Sequence, residues 1–137
     1  MDAILQSLYS GLPVLIMHFI ATILILVLTV MFYIRLTPLH EFELIKEGNV
    51  TAAISASGAL LGFAVPMAFC MASSVNIYDI IIWGAAILII QVITYFIIDL
   101  ILQNIAESIK KQDMAPVIFL VAVKLSVGFI SAAAIAG

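Results

Sequence analysis

The stretch Glu41–Pro66, EFELIKEGNVTAAISASGALLGFAVP, passes from a charged segment through a Gly48-Asn49 break into an apolar run rich in small residues. Two kinds of helix meet at that break. The first is short: Leu39, Phe42 and Ile45 fall at i, i+3 and i+6, with Glu43, Lys46 and Glu47 largely elsewhere, which predicts a helix lying in a membrane interface. Thr37 suits its cap, Pro38 its first position and Gly48-Asn49 its end. Asn49 can then cap the second helix, which is long enough to cross a bilayer.

Working outward, the rest of the chain supports a membrane reading. Of its 137 residues 66% are hydrophobic and 9% charged, and the mean hydropathy is +1.33, far from the balance of a soluble domain. A net charge of −3 on so few charges gives no sign of a nucleic-acid partner. Cys70, the single cysteine, can form no internal disulfide. The opening MDAILQSLYSG carries no Lys or Arg, so no basic signal-peptide start is expected and the first apolar segment stays in the protein. Four runs, at 12–34, 50–73, 79–102 and 114–136, reach the ~20 residues needed to span ~30 Å of hydrocarbon. None alternates with the period of a barrel strand, so the expected fold is an all-α polytopic four-helix bundle, 1–137 as one membrane domain.

An offset of 64 residues lays Glu43-Leu44-Ile45-Lys46 on Glu107-Ser108-Ile109-Lys110, Asn49 on Asp113, Phe32 on Phe96 and Leu36 on Leu100. In the third connection Ile101, Ile105 and Ile109 share a face and Asp113 is the cap before Met114. Two helical-hairpin repeats, about 12–73 and 79–137, are therefore expected, parallel and related by an axis along the membrane normal. Arg35, Lys46, Lys110 and Lys111 all lie in the first and third connections, which places both connections, with their interfacial helices, in the cytoplasm and both termini in the periplasm. Tyr9, Tyr78 and Trp83 then mark the outer interface, Phe32 and Tyr33 the inner one.

The residues Thr37-Pro38, Glu41, Leu44-Ile45, Gly48-Asn49, Ala52-Ala53, Gly58 and Leu60-Leu61-Gly62, with Trp83-Gly84 and Gln91 further on, give the chain a family likeness. It resembles the YjfL-like small bacterial inner-membrane proteins over essentially its whole length, more specifically in the first half. The resemblance implies a two-repeat bundle in the inner membrane, no established activity, and envelope-stress membrane proteins as partners. Here Asp113-Met114-Ala115-Pro116 replaces the Asn-x-x-Ala start in the second copy, so the repeats are unequal.

Among single residues Lys124 stands out, because a lysine well inside a membrane helix costs several kcal/mol unless partnered. Asp99 is its candidate partner in a buried ion pair; the alternative is that Lys124 snorkels or bonds Gln91 and serines while Asp99 ends its helix. Gly58 and Gly62 form a GxxxG that Ser55 and Thr51 extend, and Gly128, Ala132 and Ala136 give a weaker version below Lys124. Packing within one bundle and a seam between copies both use such a face. Gly84, Leu88, Gln91, Tyr95 and Asp99 form one stripe, and His18, Thr22 and Thr29 another. These are read either as interhelical hydrogen bonding or as the lining of a narrow polar path. His40, Glu43 and Glu47 have spacing for a divalent metal, but with no cysteine or second histidine nearby no metal and no cofactor is expected.

No phosphate loop, nucleophile–base pair or zinc-ligand set is present, so the chain is not read as an enzyme. Small multidrug exporters need a first-helix glutamate where only His18 stands, and the one-sided basic residues argue against a dual-topology fluoride channel. The expected function is a non-catalytic membrane module or scaffold that forms homo-oligomers in the lipid bilayer, linked to envelope stress. The alternative is a small oligomeric channel or transporter with a polar path near Gln91 and Lys124.

Overall fold

A computed structural model describes residues 1–38, 40–73 and 76–137. Four long helices and two short ones occur in the order α1 (Asp2–Leu36), α2 (Glu41–Lys46), α3 (Val50–Ser73), α4 (Ile77–Leu102), α5 (Ile105–Lys110) and α6 (Met114–Ala136). The long four are each long and apolar enough to cross a membrane, and no strand occurs among the described residues. The all-α polytopic bundle is thus what the chain forms.

The two short helices and the long helices after them begin 64 positions apart, Glu41 against Ile105 and Val50 against Met114. Their ends share a hydrogen-bond scheme. Asn49 N–H donates to Leu44 O (2.9 Å) and Gly48 N–H to Ile45 O (3.0 Å); Asp113 N–H donates to Ser108 O (2.8 Å) and Gln112 N–H to Ile109 O (3.2 Å). Each is a Schellman stop with its turning residue at positive φ, Gly48 at 87° and Gln112 at 57°. Asn49 does cap α3, its Oδ1 accepting from Ala52 N–H at 3.0 Å, while its Nδ2 donates to Ile109 O of α5 at 2.9 Å and ties the two connections together. Asp113 occupies the matching place before α6 but makes no side-chain cap bond.

Several local expectations shift. Thr37 is buried at the end of α1, its hydroxyl bonded to Tyr33 O (2.8 Å), and α2 starts only at Glu41. In α2 the inward side carries Glu41, with Leu44 and Ile45 half-buried, whereas Phe42 is exposed; Leu39 lies outside the described residues. Ile101 does not share a face with Ile105 and Ile109. It is exposed on α4, and two successive positive-φ residues, Gln103 and Asn104, break the chain before α5. The α3–α4 turn, read as 74–78, is described from Asn76, whose Oδ1 accepts from Asp79 N–H and caps α4. Tyr33 faces the protein interior: it is fully buried and meets Phe63 edge-on at 5.4 Å between centroids.

Within the membrane the bundle is uneven. Helices α3 and α6 pack backbone to backbone: a Cβ added at Gly128 would lie 2.9 Å from Gly62 O, and one at Gly58 would lie 2.6 Å from Val121 Cγ2. Close approach of this kind is what small residues permit where lipid supplies no hydrophobic drive. Helix α1 is the opposite case. It starts at Asp2 rather than near Leu12 and runs 35 residues, ~52 Å at 1.5 Å per residue, with only Thr29 and Tyr33 buried. Its residues from Asp2 to Met17 are all exposed.

Candidate functional site

The polar residues of the bundle meet where α1, α3, α4 and α6 come together above α2. Lys124 is fully buried, and its Nζ stands 4.1 Å from the Tyr33 ring centroid and 5.7 Å from that of Tyr95. Two electron-rich faces hold the ammonium in place of an anion, an interaction worth ~2 kcal/mol or more once desolvated. Tyr33 and Tyr95 are themselves edge-on, 6.5 Å apart. The expected Asp99–Lys124 ion pair is not formed. Asp99 Oδ1 accepts instead from Ile105 N–H at 2.9 Å, bridging the break between α4 and α5, and the ion pair found is Lys111–Glu107 at 3.9 Å.

Gln91 lies at the crossing of three helices. Its buried Nε2 donates to Gly62 O (3.2 Å) on α3 and to Lys124 O (3.1 Å) on α6. This fills the closest part of the α3–α6 seam with a side chain. Ser55, Gly58 and Gly62 are buried on α3 and Gly128 and Ala132 on α6, all within one chain. His18 and Thr22 stay apart from the cluster: His18 Nδ1 is 2.9 Å from Val14 O, and Thr22 donates to His18 O at 2.7 Å, both on α1 itself.

Sequence reasoning missed the carboxyl at the heart of the site. Glu41 is 1% exposed; its Oε1 accepts from Ser55 Oγ at 2.9 Å, and its Oε2 has no hydrogen-bond partner. Burial pushes its pKa up from 4.5 to about 7, against the opposing pull of the Ser55 hydrogen bond. Tyr95 lies in the field of both Glu41 and Asp99, so the acidic and phenolic groups form one electrostatic neighbourhood. Buried polar atoms without a partner also include Tyr33 Oη, Thr51 Oγ1, Gln91 Oε1, Tyr95 Oη and Lys124 Nζ. Natural proteins rarely leave such groups together without use, because each costs ~1–3 kcal/mol. Tyr33 was within reach of the sequence, since it continues the Thr22–Thr29 stripe by one more helical step. Glu41 offered no signal except its place among the residues of the family likeness.

Fold and site together define a class: a small multi-pass α-helical membrane protein with a buried carboxyl–lysine–tyrosine cluster near one end of its bundle. The chain belongs to the family described as Domain of Unknown Function (DUF350), which matches residues 7–135. It is 28% identical to the UPF0719 inner membrane protein YjfL of Escherichia coli K12 over 116 residues, 85% of this chain and 88% of the relative, and equally so to that of Escherichia coli O157:H7. No solved structure matches. The YjfL likeness read from Thr37 to Gln91 is therefore real, and with four spanning helices the chain is a multi-pass inner-membrane protein.

Proposed function

We propose that this protein is a non-catalytic membrane module that associates with copies of itself through α1 and holds other inner-membrane proteins. One observation carries the reading. Helices α3, α4 and α6 fill their own interior, whereas α1 has a free face along its first half. Ala3, Ser7 and Gly11 recur there at four-residue spacing between Ile4, Leu8 and Leu12, forming a shallow flute into which a second helix can seat. A 35-residue helix exceeds the ~30 Å hydrocarbon core by some 20 Å, so its exposed apolar end needs either a steep tilt or a cover, and a second copy supplies the cover.

The positions of Arg35, Lys46, Lys110 and Lys111, all at the α2–α5 end, support cytoplasmic connections and periplasmic termini. The shared 64-residue spacing of the two connections supports descent from a duplicated hairpin. Envelope-stress membrane proteins are the proposed partners, on the family likeness alone. The test is a Ser7→Cys protein in native membranes under oxidation. A symmetric disulfide dimer, lost in Gly11→Ile, is expected; a monomer at every protein-to-detergent ratio refutes self-association.

The channel reading draws on the buried polar atoms of Gln91, Tyr95 and Lys124. Against it, the Gln91 amide bridges the Gly62 and Lys124 carbonyls and fills that crossing with a side chain. Ion or solute flux in proteoliposomes that disappears in both Gln91→Ala and Lys124→Ala would decide for the channel.

A further inference from the structure

A groove of about 220 Å³ runs between α1 and α3 and ends on α2. Val30 and Leu60 line its deep part, Ala56 its middle, and Tyr33, Glu41 and Phe42 the part nearest α2. It opens outward: Phe42 and Leu60 are about half exposed, and Ser57 on its rim is exposed as well. Its long direction follows the membrane-spanning helices, because Ala53 to Leu60 covers two turns of α3, ~10 Å. Thus the groove has the outline of one lipid chain standing in the bilayer with its headgroup at the level of the short helix.

Its chemistry is one-sided. The groove is apolar apart from Glu41, Tyr33 and Ser57, and no basic residue lines it. Glu41 is among its lining residues though only 1% exposed, with one carboxyl oxygen bonded to Ser55 and the other buried and unpartnered. Lys124, the nearest buried cation, is committed to the faces of Tyr33 and Tyr95 and forms no ion pair with Glu41. Thus the carboxylate lacks a positively charged hydrogen-bond donor, and the groove admits one only if it arrives on a hydrocarbon body.

We propose that the α1–α2–α3 groove binds an aminophospholipid of the surrounding membrane, with an acyl chain along Val30, Ala56 and Leu60 and the primary ammonium of an ethanolamine headgroup on Glu41. Tyr33 closes the same end of the groove, its ring already faced by Lys124. Phe42 packs beside the chain at the groove mouth. The exposed Lys46, at the other end of α2, stands on the headgroup side of the same helix. A lipid held this way gives Glu41 its missing partner, whether or not the protein self-associates.

The experiment uses the full chain in nanodiscs made with phosphatidylglycerol and either phosphatidylethanolamine or phosphatidylcholine, with bound lipid read by native mass spectrometry after detergent release. A charge-assisted hydrogen bond to a buried carboxylate predicts at least about tenfold greater retention of the ethanolamine lipid than of its N-trimethylated counterpart. The preference is expected to vanish in Glu41→Gln. It is also expected to fall in Ser57→Phe, which fills the groove mouth and leaves Glu41 in place, so the test stands even if Glu41→Gln does not fold. Equal retention of the two lipids by the unmodified protein overturns the proposal, as does a preference that survives in Ser57→Phe. Dodecylammonium chloride is the competitor: displacement of the ethanolamine lipid supports the site. Glu41-dependent binding of dodecylammonium with no retained ethanolamine lipid rejects the membrane lipid as occupant.

Discussion

Glu41 and Ile105 occupy the same place in two connections 64 residues apart, each the first residue of a six-residue helix and each almost fully buried, at 1% and 0% exposure. The backbone around them follows one hydrogen-bond scheme. Yet one position holds a carboxyl and the other a butyl side chain. Position 105 shows that the scheme is satisfied by an aliphatic residue, so the carboxyl at 41 is not there to make the turn. A buried carboxylate costs several kcal/mol unless well paired, and Ser55 pairs only one of its oxygens. The difference separates what the fold requires from what the first half adds to it, and the most economical explanation is a ligand-facing role for Glu41.

Exchanging the two residues is the strongest way to break this comparison. Ile105→Glu places a second carboxyl beside Asp99 and opposite α6, where the counterpart of Ser55 is the exposed Phe119. We expect a loss of roughly 3–5 kcal/mol, enough to abolish folded yield. Glu41→Ile is expected to keep or raise yield. Fluorescence-detected size exclusion of both variants decides; loss of the fold in Glu41→Ile but not in Ile105→Glu would reverse the assignment.

A smaller effect comes from protons. In the fold Glu41 titrates near 7 against 4.5 when free, so the folded state holds its proton more tightly than the unfolded chain. The stability this gives is present in full below about pH 4.5 and is lost as the pH rises through about 7, amounting to roughly 3 kcal/mol over that window. Tyr33 lines the same groove as Glu41, and Tyr95 lies within reach of the Glu41 charge. Thermal unfolding in a detergent free of amine lipids is expected to show stability falling from pH 4.5 to 7, and Glu41→Gln to flatten that slope. An unchanged slope in Glu41→Gln assigns the pH dependence to another group.

These effects sit at the part of the molecule least legible in the sequence. The four spanning helices were plain because their length and hydropathy leave no other structure in lipid. The stops at Gly48-Asn49 and before Met114 were plain because caps are local chemistry. The rotation of a six-residue helix is not local. One and a half turns give too few residues for periodicity to fix the inward face, and the Leu39–Phe42–Ile45 spacing pointed Phe42 inward. Asp99 and Lys124 were matched by depth alone; the rotation of α4 and α6 instead gave the lysine to two tyrosines and the aspartate to a backbone N–H. The early start of α1 was not legible from an apolar run taken to begin at 12, and Gly11 and Pro13 lie within continuous helix.

Next in size is the link between the connections. Asn49 caps α3 with its oxygen and reaches Ile109 O with its amide nitrogen, whereas Asp113 in the matching place does neither. Asn49→Asp keeps an acceptor for Ala52 N–H and removes the donor to Ile109 O. Ile109 O keeps its bond from Gln112 N–H, so the loss is that of one hydrogen bond, about 0.5–1.5 kcal/mol, to which the new carboxylate adds its own desolvation. The expected result is a drop in thermal stability of that order with normal membrane insertion, and faster hydrogen exchange in α5 than in α2. Equal exchange in the two short helices would mean that they are held independently.

The smallest effect tests whether the two stops are the same device. Both turn through positive φ, but only Gly48 does so without a Cβ; Gln112 adopts the left-handed conformation with a full side chain. An L-residue there costs about 1–2 kcal/mol, of which glycine recovers a part, since a glycine also loses more backbone entropy on folding, roughly 0.5–1 kcal/mol. Gly48→Ala should therefore destabilise by about 1 kcal/mol, and Gln112→Gly should stabilise by about 0.5 kcal/mol, in reversible unfolding by sodium dodecyl sulfate. Opposite signs are the signature of one Schellman geometry used twice. If Gln112→Gly destabilises, the Gln112 side chain contributes something that its backbone angle does not reveal. The second connection would then be held by side-chain contact rather than by the cap, and the likeness of the two halves would end at the path of the chain.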